Sequence, residues 1–149
     1  MAKTTEQIVT ELADRDAIRE LPQRYCDCVW RGDVDGLVSL FADDGVWTTD
    51  YGEAKGRDAI EQMLRSIVPV KGEGPQRKHY ITNIIIKVSG DGADSISDYL
   101  VVRESGPDLI PVMGGTYKDK WVRQDGTWRF KRKELVHDIS GDMALKNNR

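Results

Sequence analysis

Hydrophobic residues recur at intervals of three and four along the first half of the chain, a spacing that predicts amphipathic helices. The first helix is predicted to begin at a Thr5 cap and to end at Gly32, with a kink or local break near Pro22. Two further helices are predicted at about 34–42 and 56–68. The inward stripe of the first helix is predicted to consist of Ile8, Leu12, Ile18, Leu21 and Tyr25.

The second half of the chain alternates apolar and polar residues, which predicts strands. A short strand at 45–49 precedes four longer ones, at about 79–88, 95–104, 109–123 and 127–138. Glycine-containing turns separate these runs, so the last three strands should form an antiparallel meander. Helices followed by strands indicate a single α+β domain over 1–149. A long, curved antiparallel sheet wrapped around the N-terminal helices makes a cone with an open mouth and a natural ligand cavity.

Composition and charge narrow the classes of function. The chain is 39% hydrophobic and 32% charged with a net charge of −3, and the two signs are interspersed. Without a basic face, nucleic acid is not an expected partner. No run approaches the roughly 20 apolar residues that cross a bilayer. The polar N-terminus lacks a signal-peptide core, so we expect no membrane partner and a cytoplasmic protein.

The two cysteines, Cys26 and Cys28, do not indicate a metal site. On a helix they point roughly 200° apart. Zinc sites usually add a second cysteine pair or histidines at matched spacing, which this sequence lacks. No glycine-rich phosphate loop is present either. We therefore expect buried free thiols, no metal and no cofactor.

His79 is the main candidate for chemistry. It is one of two histidines, and it lies near the start of a strongly β-forming run, 78–86. Histidine is the side chain whose unperturbed pKa lies near neutrality. If His79 faces a closed pocket, it is a natural general base or acid. If it faces outward, it is an ordinary surface residue.

Three groups of residues, in this order and spacing, resemble the SnoaL-like branch of the nuclear transport factor 2-like superfamily over about residues 8 to 138. The first group consists of Ala17–Leu21, Arg24-Tyr25, Gly32-Asp33 and Leu40–Trp47. The second group is His79-Tyr80 with Thr82-Asn83, and the third is Gly114–Tyr117 with Asp125–Phe130. The resemblance implies a cystatin-like cone. The order is most similar to scytalone dehydratase, hexachlorocyclohexane dehydrochlorinase and bile-acid 7α-dehydratase.

The resemblance also implies a catalytic pair. In those enzymes a pocket histidine abstracts a proton, and an aspartate late in the first helix pairs with it. The histidine carries over to His79, but Trp30 stands in the place of the aspartate. Three replacements remain open: Asp27, about 60° further around the helix; Asp50, beside the position of the ketosteroid isomerase base; or a water or hydroxyl.

Tyr25 occupies the place of a tyrosine that, in ketosteroid isomerases and bile-acid 7α-dehydratase, points at the substrate oxygen. A phenol in an apolar cavity can stabilise a developing enolate, although core packing is an equal alternative. If His137 faces inward, strand alternation brings Leu135 and Lys133 with it. A buried Lys133 would need a partner or an anionic ligand, and the alternative is that it snorkels at the cone mouth.

Alternation and resemblance together predict which residues bind substrate. Trp30 should narrow the cavity and exclude bulky polycyclic ligands. Trp128 and Phe130 should face the other side of the sheet from His137, under another subunit or a helix. The resemblance implies a homo-oligomer, with a trimer favoured over a dimer. The predicted substrate-binding residues are Trp30, Trp47, Tyr99, Val101, Met113, Lys133 and His137.

The sequence therefore predicts a cofactor-free lyase, a dehydratase, or an isomerase that acts on a small hydrophobic oxygenated ring compound. His79 would abstract a proton next to a carbonyl, and Tyr25 would stabilise the enolate oxygen. Two alternatives remain: a module that binds a hydrophobic metabolite, and an assembly protein whose sheet face binds another chain. An enzyme predicts a deep cavity with His79 bonded to a second titratable group. A binding module predicts a cavity without that partner, and an assembly protein predicts a filled cone.

Overall fold

The fold is α+β with three helices, as predicted, and it has six strands, one more than predicted. The computed structural model describes residues 1–140. The elements in chain order are α1 (Thr5–Arg31), α2 (Val34–Ser39), β1 (Phe41–Thr49), β2 (Gly52–Lys55), α3 (Arg57–Ile67), β3 (Arg77–Ser89), β4 (Gly92–Ser105), β5 (Asp108–Gln124) and β6 (Thr127–Ser140). None of the helices in this described part is long and apolar enough to cross a membrane.

Helix α1 is one continuous helix, and its cap is Thr4, not Thr5. The Thr4 hydroxyl accepts from the backbone N–H of Gln7, and the Gln7 side chain accepts from the backbone N–H of Thr4. The helix ends at Gly32 as predicted, because a φ of 70° there suits glycine. It continues through Pro22, whose ring is buried in the core. Packing thus outweighs the single backbone hydrogen bond that proline removes.

Only part of the predicted inward stripe of α1 is buried. Ile8 and Leu12 are 46% and 60% exposed, whereas Ile18 is fully buried. The first buried residue of the helix is Asp14. At 1.5 Å per residue, a helix of this length is about 40 Å long, so its first turns extend past the core.

The six strands form one mixed sheet in the order β2-β1-β6-β5-β4-β3. Strands β3 to β6 are an antiparallel meander, which confirms the predicted one and adds β3 to it. Strand β1 lies parallel to β6. The turn before β6 has positive φ at Asp125 and Gly126, as a tight hairpin requires. The short strand β2 was not predicted, and α2 ends earlier than predicted because β1 already begins at Phe41.

A β-bulge in β6 corrects one prediction about which face its residues occupy. Lys120 pairs with Arg132 and Trp121 pairs with Phe130, so Lys131 is an extra residue in β6. One inserted residue reverses the alternation of side chains along a strand. Phe130 and Trp128 are therefore buried in the main core and do not face the opposite side.

Asp14 fastens α1 to the β5–β6 hairpin. Its carboxylate accepts from the Arg123 guanidinium at 2.9 Å and from the Trp128 indole N–H at 3.0 Å. The hydrogen bond from Arg123 lowers the pKa of Asp14 below its usual value.

We expect Asp14→Ala to lower the free energy of unfolding by about 2 kcal/mol, because the buried indole N–H loses its acceptor. Urea denaturation measures this loss. The same change at exposed Asp16 is the control and should cost less than about 0.5 kcal/mol; equal losses would contradict the prediction.

Candidate functional site

A cavity of about 460 Å³ lies between the C-terminal part of α1, helix α3 and the sheet. This volume falls within the range of small-molecule sites, and the wall is mostly apolar. The cone is therefore open, not filled. Residues from every layer of the fold contribute to the wall, among them Val29 of α1, Met63, Leu64 and Ile67 of α3, Arg77 of β3, Tyr117 of β5 and Leu135 of β6.

Most of the predicted site residues line this cavity. They are Tyr25, Trp47, His79, Tyr99, Val101, Met113 and His137. The structure thus brings together both histidines of the chain and a tyrosine in one apolar space. What these residues do there stays a prediction.

Trp30 does not line the cavity. Its ring lies under the ammonium groups of Lys71 and Lys78, which are 3.0 and 4.7 Å from its centroid. Val29, four residues after Tyr25, takes the cavity-facing position on α1. Trp30 is about 100° further around the helix, so its side chain leaves the wall. The argument that Trp30 narrows the cavity therefore fails.

Lys133 neither lines the cavity nor snorkels to solvent. It is fully buried behind the wall, and its ammonium lies 3.4 Å from the Asp119 carboxylate, which is also fully buried. Asp119 and Lys133 are directly opposite each other on β5 and β6. Burial raises the pKa of Asp119 to about 6, so the carboxyl is mainly ionised at neutral pH. The ammonium also lies 3.5 Å from the centroid of the Tyr117 ring, which does face the cavity.

His79 faces the cavity without a hydrogen-bonded titratable partner in the described residues. Its ring Nδ1 is buried and unpaired. Burial lowers the pKa of His79 to about 4, and the positive charges of Arg77 and Lys133 add to this effect. The ring is therefore neutral at pH 7. Asp27 does not reach it, because its carboxylate is 59% exposed and pairs with Arg31 at 2.9 Å.

Tyr25 contributes both to the core and to the cavity. Its ring packs edge-on against Tyr117 and Phe130, with centroids 6.3 and 6.1 Å away. Burial raises the pKa of its phenol well above the usual value, so the hydroxyl keeps its proton. A protonated phenol in the wall can donate a hydrogen bond to a ligand oxygen.

His137 has a carboxylate partner, which His79 lacks among the described residues. Its Nδ1 lies 2.8 Å from Oδ2 of Asp50, and the same oxygen accepts from the backbone N–H of His137 at 3.3 Å. Asp50 occupies the turn between β1 and β2, and the ring of Tyr51 lies 5.4 Å from the His137 ring. This pair joins residues 87 positions apart.

Sequence reasoning missed Asp119 and Tyr117. A signal was available, since the alternation that places Met113 inward also turns Tyr117 and Asp119 inward on the same strand. It also missed the approach of Asp50 to His137, for which no local signal exists.

Within residues 1–140, no cluster of three or more potential ligands is arranged to hold a metal ion. Cys26 is a free thiol whose pKa burial raises to about 11.

Gly115 leaves room for Tyr99 in the wall. The Tyr99 hydroxyl donates to the backbone oxygen of Val136 at 3.1 Å. A Cβ at Gly115 would lie 2.1 Å from that oxygen and 2.4 Å from the hydroxyl.

We expect Gly115→Ala to lower the free energy of unfolding by about 1–3 kcal/mol, because the added Cβ meets a backbone oxygen, which cannot turn aside as the end of a flexible side chain can. Gly114→Ala is the matched control, because its Cβ would meet nothing closer than 3.9 Å. Thermal unfolding compares the two, and similar losses would contradict the prediction.

Solved structures share this architecture. A presumed scytalone dehydratase from Novosphingobium aromaticivorans DSM 12444 superposes with a TM-score of 0.78 at 28% identity, covering 91% of each chain. A hexachlorocyclohexane dehydrochlorinase, LinA type 2, gives 0.75 at 26% identity over 88% of this chain and 89% of that one. A nuclear transport factor 2-like protein with a cystatin-like fold, also from N. aromaticivorans, gives 0.78 at 24% identity over 98% and 97%, and this likeness concerns the fold alone.

No curated protein matches the sequence. Residues 10–134 match the SnoaL-like domain family, which is most of the chain. The match agrees with the resemblance of the three residue groups and with the cystatin-like neighbours. The chain therefore belongs to the SnoaL-like domain family.

Proposed function

We propose that this protein is a cofactor-free lyase or isomerase that removes a proton from a small hydrophobic oxygenated ring compound. One observation carries the proposal: a mostly apolar cavity of about 460 Å³ has both histidines of the chain and Tyr25 in its wall. Similarity to a presumed dehydratase and to a dehydrochlorinase supports elimination chemistry in this fold.

The chemistry needs a base and a group that stabilises negative charge. A neutral imidazole takes the proton from a carbon next to a carbonyl, and the C–H electron pair moves onto the carbonyl oxygen. The Tyr25 hydroxyl, which burial keeps protonated, donates a hydrogen bond to that oxygen. Loss of a β-hydroxyl as water completes a dehydration, and return of the proton to another carbon completes an isomerisation.

Proton exchange tests the proposal without knowledge of the natural substrate. Cyclohexanone, 2-cyclohexenone and 2-tetralone are incubated with the protein in D2O, and deuterium uptake is followed by NMR. We expect saturable exchange above the buffer rate for at least one ketone. Tyr25→Phe should lower kcat about a hundredfold, because the enolate loses a donor. Tyr80→Phe is the matched control, since Tyr80 is 50% exposed and outside the wall.

A binding module is the second candidate. Its support is the absence of a titratable partner for His79 among the described residues. Trp47 lies in the wall, so its fluorescence reports ligand entry. Quenching by a ketone without any exchange across the panel would favour this candidate and exclude the enzyme for these compounds.

We also propose that the chain forms a homo-oligomer, with a trimer favoured over a dimer. The outer sheet face supports this, because Tyr80, Ile85, Ile96 and Leu100 are 43–69% exposed there. Tyr80 lies opposite Leu100, and Ile85 lies opposite Ile96. Sedimentation equilibrium measures the state. Leu100→Lys should dissociate the oligomer, and a monomeric wild-type protein at micromolar concentration would overturn the proposal.

A further inference from the structure

We propose that His137, oriented by Asp50, is the group that takes the proton in this cavity. This inference rests on the proposed function and assigns its base. No aspartate pairs with His79 in the part of the chain that the structure describes, and Asp50 and His137 form such a pair at another part of the same wall.

The geometry fixes the His137 ring. A carboxylate only accepts hydrogen bonds, so the 2.8 Å contact places a proton on Nδ1. The neutral ring then has its lone pair on Nε2, which makes no hydrogen bond within residues 1–140. The side chain of His137 is 9% exposed and lines the cavity. Nε2 is therefore the ring nitrogen available to a ligand.

The charges around the two histidines differ in sign. Burial and the positive charges of Arg77 and Lys133 disfavour a positive charge on the His79 ring. Asp50 is hydrogen-bonded to His137. Burial raises the pKa of the nearby Tyr99 phenol, and the Asp138 and Asp50 carboxylates, with Tyr51, raise it further. An imidazolium that forms at His137 is stabilised by the Asp50 carboxylate.

This asymmetry also orients the substrate. In the proposed pose, the enolate oxygen accepts a hydrogen bond from the Tyr25 hydroxyl and lies toward His79, where the positive charge of Arg77 acts. The acidic C–H then faces Nε2 of His137. In the step, the C–H bond breaks, the Nε2–H bond forms, and the electron pair moves onto the carbonyl oxygen. The Nε2–H exchanges with solvent, and a proton from Nε2 then returns to carbon in an isomerisation or leaves with the β-hydroxyl as water in a dehydration; in D2O the returned hydron is deuterium.

The exchange assay in D2O separates His137 from His79. His137→Gln should lower kcat by about 10²- to 10⁴-fold with KM changed by less than about threefold, because it removes the base but not the cavity wall. His79→Gln keeps a hydrogen-bond donor and should lower kcat by less than about tenfold. The inference is overturned if His79→Gln abolishes exchange while His137→Gln stays within about threefold of wild type.

Asp50 is a positioning residue, and its variants need readouts that a purely structural role would not move. Asp50→Asn should lower kcat by about 10- to 100-fold and shift the rising limb of the pH profile to lower pH, because the imidazolium loses its counter-charge. Asp50→Glu should restore part of the rate. Asp44→Asn, which removes an exposed carboxylate from the same strand region, is the control and should change neither.

The outcomes distinguish the two levels of the proposal. If the wild-type protein exchanges no ketone, the proposed function fails and the assignment of its base fails with it. If wild type and His137→Gln exchange equally well, the function stands and the assignment is overturned. Asp50 is 51% exposed in a turn, so its variants should fold even if His137→Gln does not, and an unchanged rate and pH profile in Asp50→Asn overturns the assignment by itself.

Discussion

Asp119→Leu is expected to lower the free energy of unfolding by about 3–5 kcal/mol, because it leaves the Lys133 ammonium buried without its counter-charge. Both side chains are 0% exposed, and they lie 3.4 Å apart. The aromatic rings around the ammonium, those of Tyr117, Tyr25 and Phe130, cannot replace a carboxylate. Urea denaturation at pH 7.5 measures the loss.

A double variant sharpens this test. Asp119→Leu with Lys133→Met removes both charges and keeps similar volumes, so it should recover most of the stability lost by Asp119→Leu alone. Asp94 and Lys120 form the matched surface pair at 3.0 Å, with side chains 66% and 62% exposed. Asp94→Leu should cost less than about 1 kcal/mol. The prediction is wrong if the two single leucine variants lose equal stability or if the double variant is no better than Asp119→Leu.

Acidification is expected to destabilise the protein through His79 by about 3 kcal/mol between pH 7.5 and pH 4. The ring has a pKa of about 4 in the folded protein and 6.5 as the ordinary value. In the unfolded chain it therefore binds a proton as the pH falls below about 6.5, while the folded protein does not until the pH nears 4. The contribution of His79 is thus fully present above pH 6.5 and is lost as the pH falls toward the folded value.

His79→Gln isolates this contribution. The glutamine does not titrate, so the difference in unfolding free energy between wild type and variant should change by about 3 kcal/mol over this range, in favour of the variant at low pH. Urea denaturation at half-unit pH steps gives both curves. Parallel curves would show that the ring is not held neutral. A neutral His79 at pH 7 agrees with its proposed position near the substrate oxygen, where an unprotonated ring can still donate through an N–H.

Local signals gave most of the secondary structure. Gly32 ends α1, and the Asp125-Gly126 turn joins β5 to β6, because backbone conformations with positive φ favour few residue types. The continuous passage of α1 through Pro22 was not predictable, since the packing that compensates the lost hydrogen bond is not local. The exposed Ile8 shows the same limit, because periodicity gives a face but not the end of the core.

The cavity wall was only partly predictable. Strand alternation and resemblance correctly predicted that Met113 and Tyr99 line the cavity. The same alternation gave the wrong sheet face for Phe130, because the β-bulge at Lys131 interrupts it. One extra residue is invisible in the pattern but reverses every later side chain along that strand. The prediction that Trp30 lines the cavity was wrong for a related reason. Val29 and Trp30 are neighbouring positions on α1, and only packing decides which of them faces the cavity.

The sequence by itself determined the α+β class, the end of α1 at Gly32, the β5–β6 hairpin, the family and the position of His79 on a cavity strand, because each depends on residues close together in the chain or on a familiar order of motifs. The tertiary structure alone decided which charges meet. It buries Lys133 against Asp119, leaves His79 without a hydrogen-bonded acid among residues 1–140, and brings Asp50 to His137 across 87 positions. These contacts depend on strand register and on the parallel approach of β1 to β6, which no local pattern encodes.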